Sequence, residues 1–270
     1  MGRSSNKAVL LVVLMVSLLG LTGCGLSKDA RAVKKIEDTL QAKYGEAFVV
    51  DGLGGGFGTA DDSTLKATAY LKSAPNTRIS AEITKDLKQV VDDYVNFKVA
   101  EAAKPPIEAM VKEIWPDAKI TVSNDAGWND ENETDTSMSY EEFLKLHPEN
   151  WQLVQVFLSA VSYVDEQGGM NQEAEIRKFR QLAERLKASK YLRSHVGFFY
   201  LSPDAYNRFE EAERSELSVL NFYHDEEEKD DKVNFVTGIS FDLDENGAMS
   251  KDTEAFDKQF ARWKDVRETN

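Results

Sequence analysis

The sequence predicts an α+β fold in which two small helix-plus-antiparallel-sheet units follow an amino-terminal signal segment. Three observations support this fold class. Residues 8–23 form a single apolar run, helical and strand-like patterns then follow without regular alternation, and an acidic stretch over residues 124–137 divides them. The irregular order of helices and strands argues against two doubly wound parallel lobes.

The composition is that of a folded and acidic protein. Of the 270 residues, 41% are hydrophobic and 10% are aromatic, which is too apolar for a disordered chain. The formal net charge is −14. Such a body repels nucleic acid and anionic wall polymers, whereas basic partners or bound cations suit it better. Solubility alone is the alternative reason for the excess of acids.

The amino terminus has the parts of a secretory signal. Arg3 and Lys7 provide the charged start, and the apolar run over residues 8–23 follows. A spanning helix needs about 20 apolar residues, so this run is too short to serve as one. The pattern therefore predicts export of the chain.

The apolar run ends in Leu21-Thr22-Gly23-Cys24, which resembles the bacterial lipobox. The resemblance implies that the Cys24 sulfur receives a diacylglyceryl group and that a signal peptidase removes residues 1–23. Cys24 is the single cysteine, so no intrachain disulfide competes for it. We expect palmitate-type acyl chains to hold the protein to the outer face of the cell membrane. A plain secreted protein with a spare thiol is the alternative.

A tether over residues 24–28 leads into the first predicted unit, residues 29–123. Its first helix, over 29–44, repeats apolar residues at steps of three and four. The basic residues at its start suit either anionic headgroups or a solvated helix face. The other predicted elements are strands at Ala47–Asp51, Leu65–Leu71 and Thr77–Thr84, helices at Val90–Ala103 and Ile107–Ile114 with a break at Pro105-Pro106, and a strand at Lys119–Ser123.

Residues 124–137 are predicted to be an acidic linker between the units, because they lack periodicity. Trp128 lies within this polar stretch. A tryptophan there either contacts a partner or packs back onto its own domain. The second interpretation is favoured, since large aromatic side chains are mostly buried.

The second predicted unit covers residues 138–270. Ser139 followed by Glu142 fits a capping box, and residues 172–190 form an amphipathic helix. The run Trp151–Val164 is ambiguous between helix and strand. The other predicted elements are a strand at Val196–Leu201, a helix from Ser202 to Leu217, a hairpin of Leu217–Tyr223 and Val233–Leu243 joined by His224–Lys232, and a final helix through Phe256, Phe260, Trp263 and Val266.

The glycine-rich run Gly52–Gly58 lacks the spacing of a phosphate-binding loop. A flexible hairpin connection is the favoured interpretation, and a backbone-lined ligand loop is the alternative.

The segment from Asp242 to Gly247 matches the first half of a calcium loop, with oxygen donors at Asp242, Asp244 and Asn246. The twelfth position should be a glutamate and is Thr253. The same residues form a good turn sequence. A turn is therefore favoured, a weak calcium site is the alternative, and no other cofactor is expected.

The sequence carries no complete catalytic motif. The histidines are His147, His195 and His224, and neither H-E-x-x-H nor G-x-S-x-G occurs. Ser63-Thr-Leu-Lys66 fits S-x-x-K but lacks the other elements of that enzyme class. The acidic block Asp225–Asp231 is favoured as a solvated loop, with calcium or a basic partner as alternatives.

The lipobox, the helix after it and the segment Lys43-Tyr44-Gly45-Glu46 together resemble uncharacterised surface lipoproteins of Gram-positive bacteria. The body resembles small cystatin-like or PepSY-like α+β modules, and the resemblance implies no catalytic residue. We therefore expect a non-enzymatic, membrane-tethered module that binds protein or peptide partners through strand edges and grooves. The alternatives are a solute-binding lipoprotein of a transporter and a carboxylate-dependent wall hydrolase.

Overall fold

The computed structural model describes residues 27–54, 63–129, 132–164, 169–215, 217–230 and 233–263. Within them lie eight α-helices and eight strands in two four-stranded sheets, so the predicted α+β class is confirmed. The chain divides into two compact units, Met1–Val91 and Asp92–Asn270.

The helices and strands have the following bounds. The helices are α1 (Lys28–Tyr44), α2 (Tyr94–Lys112), α3 (Tyr140–Leu146), α4 (Gln172–Ala188), α5 (Pro203–Asn207), α6 (Phe209–Arg214), α7 (Val219–Asp230) and α8 (Thr253–Phe260). The strands are β1 (Phe48–Gly54), β2 (Thr64–Leu71), β3 (Ala74–Thr84), β4 (Val90–Asp92), β5 (Lys119–Asn124), β6 (Gln152–Ser159), β7 (Ser194–Leu201) and β8 (Phe235–Leu243).

The first unit packs α1 against a sheet with the strand order β1-β2-β3-β4. Helix α1 begins where the Ser27 hydroxyl accepts a hydrogen bond from the Ala30 N–H at 3.1 Å. It ends at Gly45, whose φ of 73° is a conformation that glycine adopts without strain. The strand pairs β1–β2 and β2–β3 are antiparallel, as the sequence predicted. The helix buries Ala32, Ile36 and Leu40.

The second unit is built on a mixed sheet with the strand order β5-β6-β7-β8. The pairs β5–β6 and β7–β8 are antiparallel, but β6 and β7 are parallel. An antiparallel sheet was expected in this unit, and the parallel pair β6–β7 is the one departure from it among the described strands of this sheet. The connection through α4 returns the chain to the end of the sheet where β6 began, and only a long crossover allows this.

Helices pack on both faces of this sheet. The main core lies on the face covered by α2, α4 and α8, and a smaller core lies beneath α5, α6 and α7. The smaller core consists of Phe157, Leu201, Ala205, Phe209, Ala212, Val219 and Tyr223.

The units divide between Val91 and Asp92 rather than within residues 124–137. The predicted amino-terminal unit included α2 and β5. In the structure, β5 pairs with β6, and α2 contributes Ala103 and Ile107 to the main core of the second unit. The pattern of a segment indicates that it is a strand, but it does not indicate which later strand becomes its neighbour.

Helix α2 continues through Pro105 and Pro106, where the sequence predicted a break. Both prolines are exposed, and the buried positions continue past them from Ala103 to Ile107 and Val111. Burial of this continuous apolar face outweighs the hydrogen bonds that the two prolines cannot donate.

Helix α7 replaces the predicted strand Leu217–Tyr223 and most of the acidic loop after it. The Tyr223 hydroxyl donates to the Ala205 carbonyl at 2.8 Å, and Glu226 in the acidic block pairs with the Arg208 guanidinium through both oxygens. These tertiary contacts override the strand-like composition of the segment.

Two glycines flank the ring of Phe199. Gly197 lies two positions earlier in β7, and Gly238 lies opposite Phe199 on β8. A Cβ added at Gly197 would lie 2.9 Å from Cε2 of the ring, whereas a Cβ added at Gly238 would lie 3.7 Å away. Phe157 and Phe235 pack against the same ring and limit its movement.

We predict that Gly197→Ala lowers the free energy of unfolding by about 1–3 kcal/mol, because the new methyl group must displace a packed ring. Urea denaturation measures the change. Gly238→Ala is the matched control and should be neutral or slightly stabilising, since alanine suits a strand interior better than glycine. Equal losses in the two variants would contradict the steric explanation.

Candidate functional site

A carboxylate lies inside the main core of the second unit. Glu175 belongs to the first turn of α4, which begins where the Asn171 side chain accepts a hydrogen bond from the Ala174 N–H at 3.0 Å. Glu175 precedes Phe179 by one helical turn, so its side chain points into the core with the apolar face of the helix. Only 3% of Glu175 is exposed.

Three side chains donate hydrogen bonds to the Glu175 carboxylate. Its Oε2 accepts from Trp115 Nε1 at 2.9 Å and from the Tyr200 hydroxyl at 3.1 Å, and its Oε1 accepts from the Lys178 ammonium at 2.5 Å. Trp115 follows α2 and Tyr200 belongs to β7, so the carboxylate joins three parts of the unit. Hydrogen bonds to both oxygens are what allow a charged group to be buried.

The ammonium group of Lys178 also faces two aromatic rings. Its nitrogen lies 5.2 Å from the ring centroid of Tyr163 and 6.0 Å from that of Trp115, within cation–π range. Burial, and then the charge of Glu175, raise the pKa of Tyr163 and of Tyr200 above the ordinary value. Both phenols therefore stay neutral near pH 7, and the Tyr200 hydroxyl remains a donor.

A cavity of about 660 Å³ opens beside this cluster. It is an open depression in the surface rather than an enclosed cleft. We call the cluster and the cavity the Glu175 site. The walls include Ser162, Tyr163, Met170, Asn171, Glu175 and Lys178.

No sequence motif marks the Glu175 site, although the sequence contains one signal of it. Glu175 is an acid on the apolar stripe of a helix that was correctly predicted, in line with Phe179 and Leu182. Its partners Trp115 and Tyr200 are 60 and 25 positions away, so no local spacing connects them.

Strand β5 forms a free edge of the second sheet. The Asp125 N–H donates to the Trp151 carbonyl at 2.9 Å, and this ladder directs the N–H groups of Ile120 and Val122 away from β6. Neither of these two N–H groups has a hydrogen-bond partner among the residues that the structure describes, but Ile120 is buried and only Val122 is partly exposed.

A groove of about 240 Å³ runs beside the start of β5, between α2 and α6. Lys104 of α2 and Glu213 of α6 pair across the groove at 3.1 Å. Their side chains are 34% and 45% exposed, so the ion pair is solvated and weak.

The opposite edge of the sheet, strand β8, is covered by side chains from the carboxyl-terminal part of the chain. Gln259 Oε1 accepts from the Ser240 N–H at 3.2 Å, and Ser250 Oγ accepts from the Asp242 N–H at 2.9 Å. Coverage of outward-pointing backbone groups is a common way to prevent a further strand from pairing. The two edges therefore differ in how many of their outward N–H groups are already bonded to side chains.

The residues of the predicted anchor, Leu21, Thr22, Gly23 and Cys24, lie outside the described residues, as do Gly55–Gly58 of the glycine-rich run. Residues 52–54 of that run end β1. From Ser27 onward, none of the described helices combines the length and apolar character needed to cross a membrane.

Of the residues of the predicted calcium loop, Asp242 and Leu243 end β8, and those from Asp244 to Gly247 form the turn after it. Asp244 Oδ1 accepts from the N–H groups of Ala248 and Asn246, both at 2.8 Å, and these hydrogen bonds lower the pKa of Asp244. Gly247 has a φ of 72°, which a turn of this kind requires. Within the described ranges, no group of three or more His, Cys, Asp or Glu residues is arranged to hold a metal ion.

Asp242 contacts a histidine and a serine, but not in the order of a catalytic triad. Its Oδ1 lies 2.6 Å from His195 Nδ1, and its Oδ2 accepts from the Ser250 hydroxyl at 3.3 Å. A nucleophilic serine would have to bond to the other ring nitrogen of the histidine. The three side chains form a surface cluster across β7 and the turn after β8.

Trp128 is 41% exposed, although the loop that carries it is held in place. The Asn96 side chain donates to the carbonyl groups of residues 126 and 127, and the Asn129 N–H donates to the Asp92 carbonyl at 2.7 Å. The first part of the predicted linker is therefore hydrogen-bonded to the start of α2. It presents the indole at the surface, and a partner contact there stays a prediction.

The remaining sequence candidates lie apart from one another. His147 Nε2 is 2.9 Å from Glu133 Oε1, and the side chain of His224 is exposed. Lys66 of the S-x-x-K segment lies 3.8 Å from Glu82 on the neighbouring strand, with its own side chain 68% exposed. None of them joins the Glu175 site.

No protein-family model matches the chain, and no curated protein matches it. The fold is similar to that in the crystal structure of a DUF5037 family protein from Ruminococcus gnavus, with a TM-score of 0.52 and 15% sequence identity. The match covers 84% of this chain and 98% of that protein. At this level of identity, the similarity concerns the fold alone.

We predict that Glu175→Ala lowers the free energy of unfolding by about 3–5 kcal/mol, because it leaves the Trp115 N–H and the Tyr200 O–H buried without their acceptor. Glu173→Ala is the matched control on the same turn. Glu173 is 86% exposed, so the control should change stability by less than about 0.5 kcal/mol. Chemical denaturation of both variants measures the difference, and similar values would show that the buried carboxylate has no structural role.

Proposed function

We propose that this protein is an extracytoplasmic lipoprotein, held to the cell membrane by acyl chains on Cys24, and that its body binds protein or peptide partners without catalysing a reaction. The observation that carries the location is the solitary cysteine directly after a charged and apolar leader. A lipid-linked sulfur also explains why the chain has no second cysteine to pair with it.

The free edge of β5 supports the binding role. An extended peptide that lies beside the carboxyl-terminal part of β5 can accept a hydrogen bond from the N–H group of Val122, which is partly exposed, and continue the antiparallel ladder there. The groove between α2 and α6 gives the side chains of such a peptide a place to pack. The Lys104–Glu213 ion pair is exposed enough for an incoming strand to displace it.

The sheet topology gives less support to a solute-binding lipoprotein. That class has two doubly wound parallel lobes around a cleft. The described strands instead form one antiparallel-rich sheet and one mixed sheet with a single parallel pair. Among the described residues that line the Glu175 site, Glu175 is the one carboxylate, so they give no support to the acid pair of a wall glycan hydrolase.

We predict that Cys24→Ser moves the protein from the membrane fraction to the soluble extracellular fraction and abolishes incorporation of radiolabelled palmitate. The thioether cannot form on a serine oxygen, and the leader alone is too short for stable anchoring. Ser27→Ala is the control, because it alters the adjoining helix cap but keeps the sulfur. Membrane retention of the Cys24→Ser protein, or an unlabelled wild type, would refute the anchor.

We predict that Val122→Pro abolishes capture of a partner by a photo-crosslinking residue placed at the exposed Ser123. Proline removes an outward N–H group and obstructs strand addition, yet an edge strand tolerates it. Val122→Thr keeps the N–H group and serves as the matched control. Crosslinking is carried out on whole cells.

The crosslinked adduct should be present for the wild type and for Val122→Thr, and at least about tenfold weaker for Val122→Pro. Circular dichroism melting checks that all three proteins are folded. An adduct of equal strength in a folded Val122→Pro protein, or no adduct with the wild type, would refute strand addition at β5.

A further inference from the structure

We propose that the Glu175 site binds a small organic ammonium ion that carries at least one N–H group. In the absence of this ligand, the ammonium group of Lys178 occupies the same position, and the ligand displaces it. A free alkylamine and the side chain of a lysine share this chemistry. The site is distinct from the β5 edge and does not require that edge to bind a peptide.

The first support is that the two carboxylate oxygens of Glu175 have different hydrogen-bond donors. Oε2 is held by Trp115 and Tyr200, both of which are fully buried. Oε1 is held by Lys178, whose side chain is 33% exposed. One oxygen is thus fixed by the protein core, while the other faces a cation that can leave.

The second support is the aromatic surroundings of that cation. The Lys178 nitrogen lies 5.2 Å from the Tyr163 centroid and 6.0 Å from the Trp115 centroid. A carboxylate combined with aromatic ring faces is the chemistry by which proteins recognise organic ammonium ions. The position that Lys178 Nζ occupies therefore has the properties of a cation site.

The third support is access. The cavity of about 660 Å³ adjoins Glu175 and Lys178 and offers room for both a ligand and a displaced lysine side chain. Met170 can contact an alkyl chain, and Ser162 and Asn171 provide polar groups along the wall. The net charge of −14 favours the approach of cations over anions.

The hydrogen bond to Oε1 determines which ammonium ions the site would prefer. A primary alkylammonium ion can replace the N–H donor of Lys178 and contact both rings, whereas tetramethylammonium has no N–H group to donate. n-Butylammonium is the sharpest probe, because it reproduces the lysine side chain. Lys178 competes with it, so the apparent affinity of the wild type is reduced by the fraction of molecules in which Lys178 is bound.

The test is titration of the ¹⁵N-labelled full-length protein with n-butylammonium chloride while the indole N–H signal of Trp115 is followed. Sodium chloride and tetramethylammonium chloride at equal ionic strength are the control titrations. The Trp115 signal is a direct reporter, because that N–H group is bonded to Glu175. Lys178→Ala removes the competitor, and Tyr163→Leu removes one ring while keeping an apolar side chain.

The expected result is a saturable shift with n-butylammonium in the wild type, about tenfold tighter binding in Lys178→Ala, and weaker binding in Tyr163→Leu. Tetramethylammonium should produce less shift than n-butylammonium. A wild-type shift with n-butylammonium that is no larger than the shift with sodium overturns the proposal. Binding to Lys178→Ala but not to the wild type also overturns it, because the ligand would then fill only the cavity that the substitution creates. If Lys178→Ala does not fold, the comparison of wild type with Tyr163→Leu decides, and equal affinity there also overturns it.

Discussion

The hydrogen-bonded Glu175 carboxylate is the interaction on which the arrangement of the second unit depends. It connects the turn after α2, the start of α4 and the middle of β7, which are distant in sequence. Phe179 and Phe198 pack against the Trp115 ring at centroid distances of 5.9 and 5.1 Å, so a polar centre is enclosed by an aromatic cluster. Any shift of α4 along the sheet would leave buried donors without an acceptor, which favours one alignment strongly over its neighbours.

The two places that suit binding in this unit use different physical chemistry. The edge of β5 offers backbone groups, so the strand addition proposed there would depend little on the sequence of the guest chain. The Glu175 site offers a charge and ring faces at defined positions, so the ammonium binding proposed there would depend on the shape and charge of the ligand. Neither of these proposed binding modes requires a catalytic residue.

Local patterns in the sequence predicted local structure well. The capping box of Ser139 and Glu142 is present, with the Ser139 side chain accepting from the Glu142 N–H. The helix predicted over residues 172–190 is α4, and the run Val196–Leu201 lies within β7. In each case the interactions that determine the element are made within a few residues of the chain, so they can be read from spacing and capping residues.

Features that depend on distant partners could not be predicted in the same way. The strand-like run Leu217–Tyr223 became helical because Tyr223 and Glu226 contact α5 and the residue after it. The assignment of β5 to the second unit depends on its pairing with β6, more than twenty-five positions later. The Glu175 site combines residues that are distant in sequence. The one signal of the site in the sequence is an acidic residue on the apolar face of a helix. The residues of the proposed lipid anchor precede the described residues. The anchor therefore stays a prediction from the sequence.

The side chains that cover β8 have a consequence for assembly. Gln259 and Ser250 accept hydrogen bonds from the outward N–H groups of Ser240 and Asp242, so a further strand could pair with this part of β8 only by displacing those side chains. The proposed strand addition is therefore favoured at β5 over this part of β8. Head-to-tail polymerisation through edge pairing of this sheet is disfavoured, since each copy would have to displace these side chains of the next.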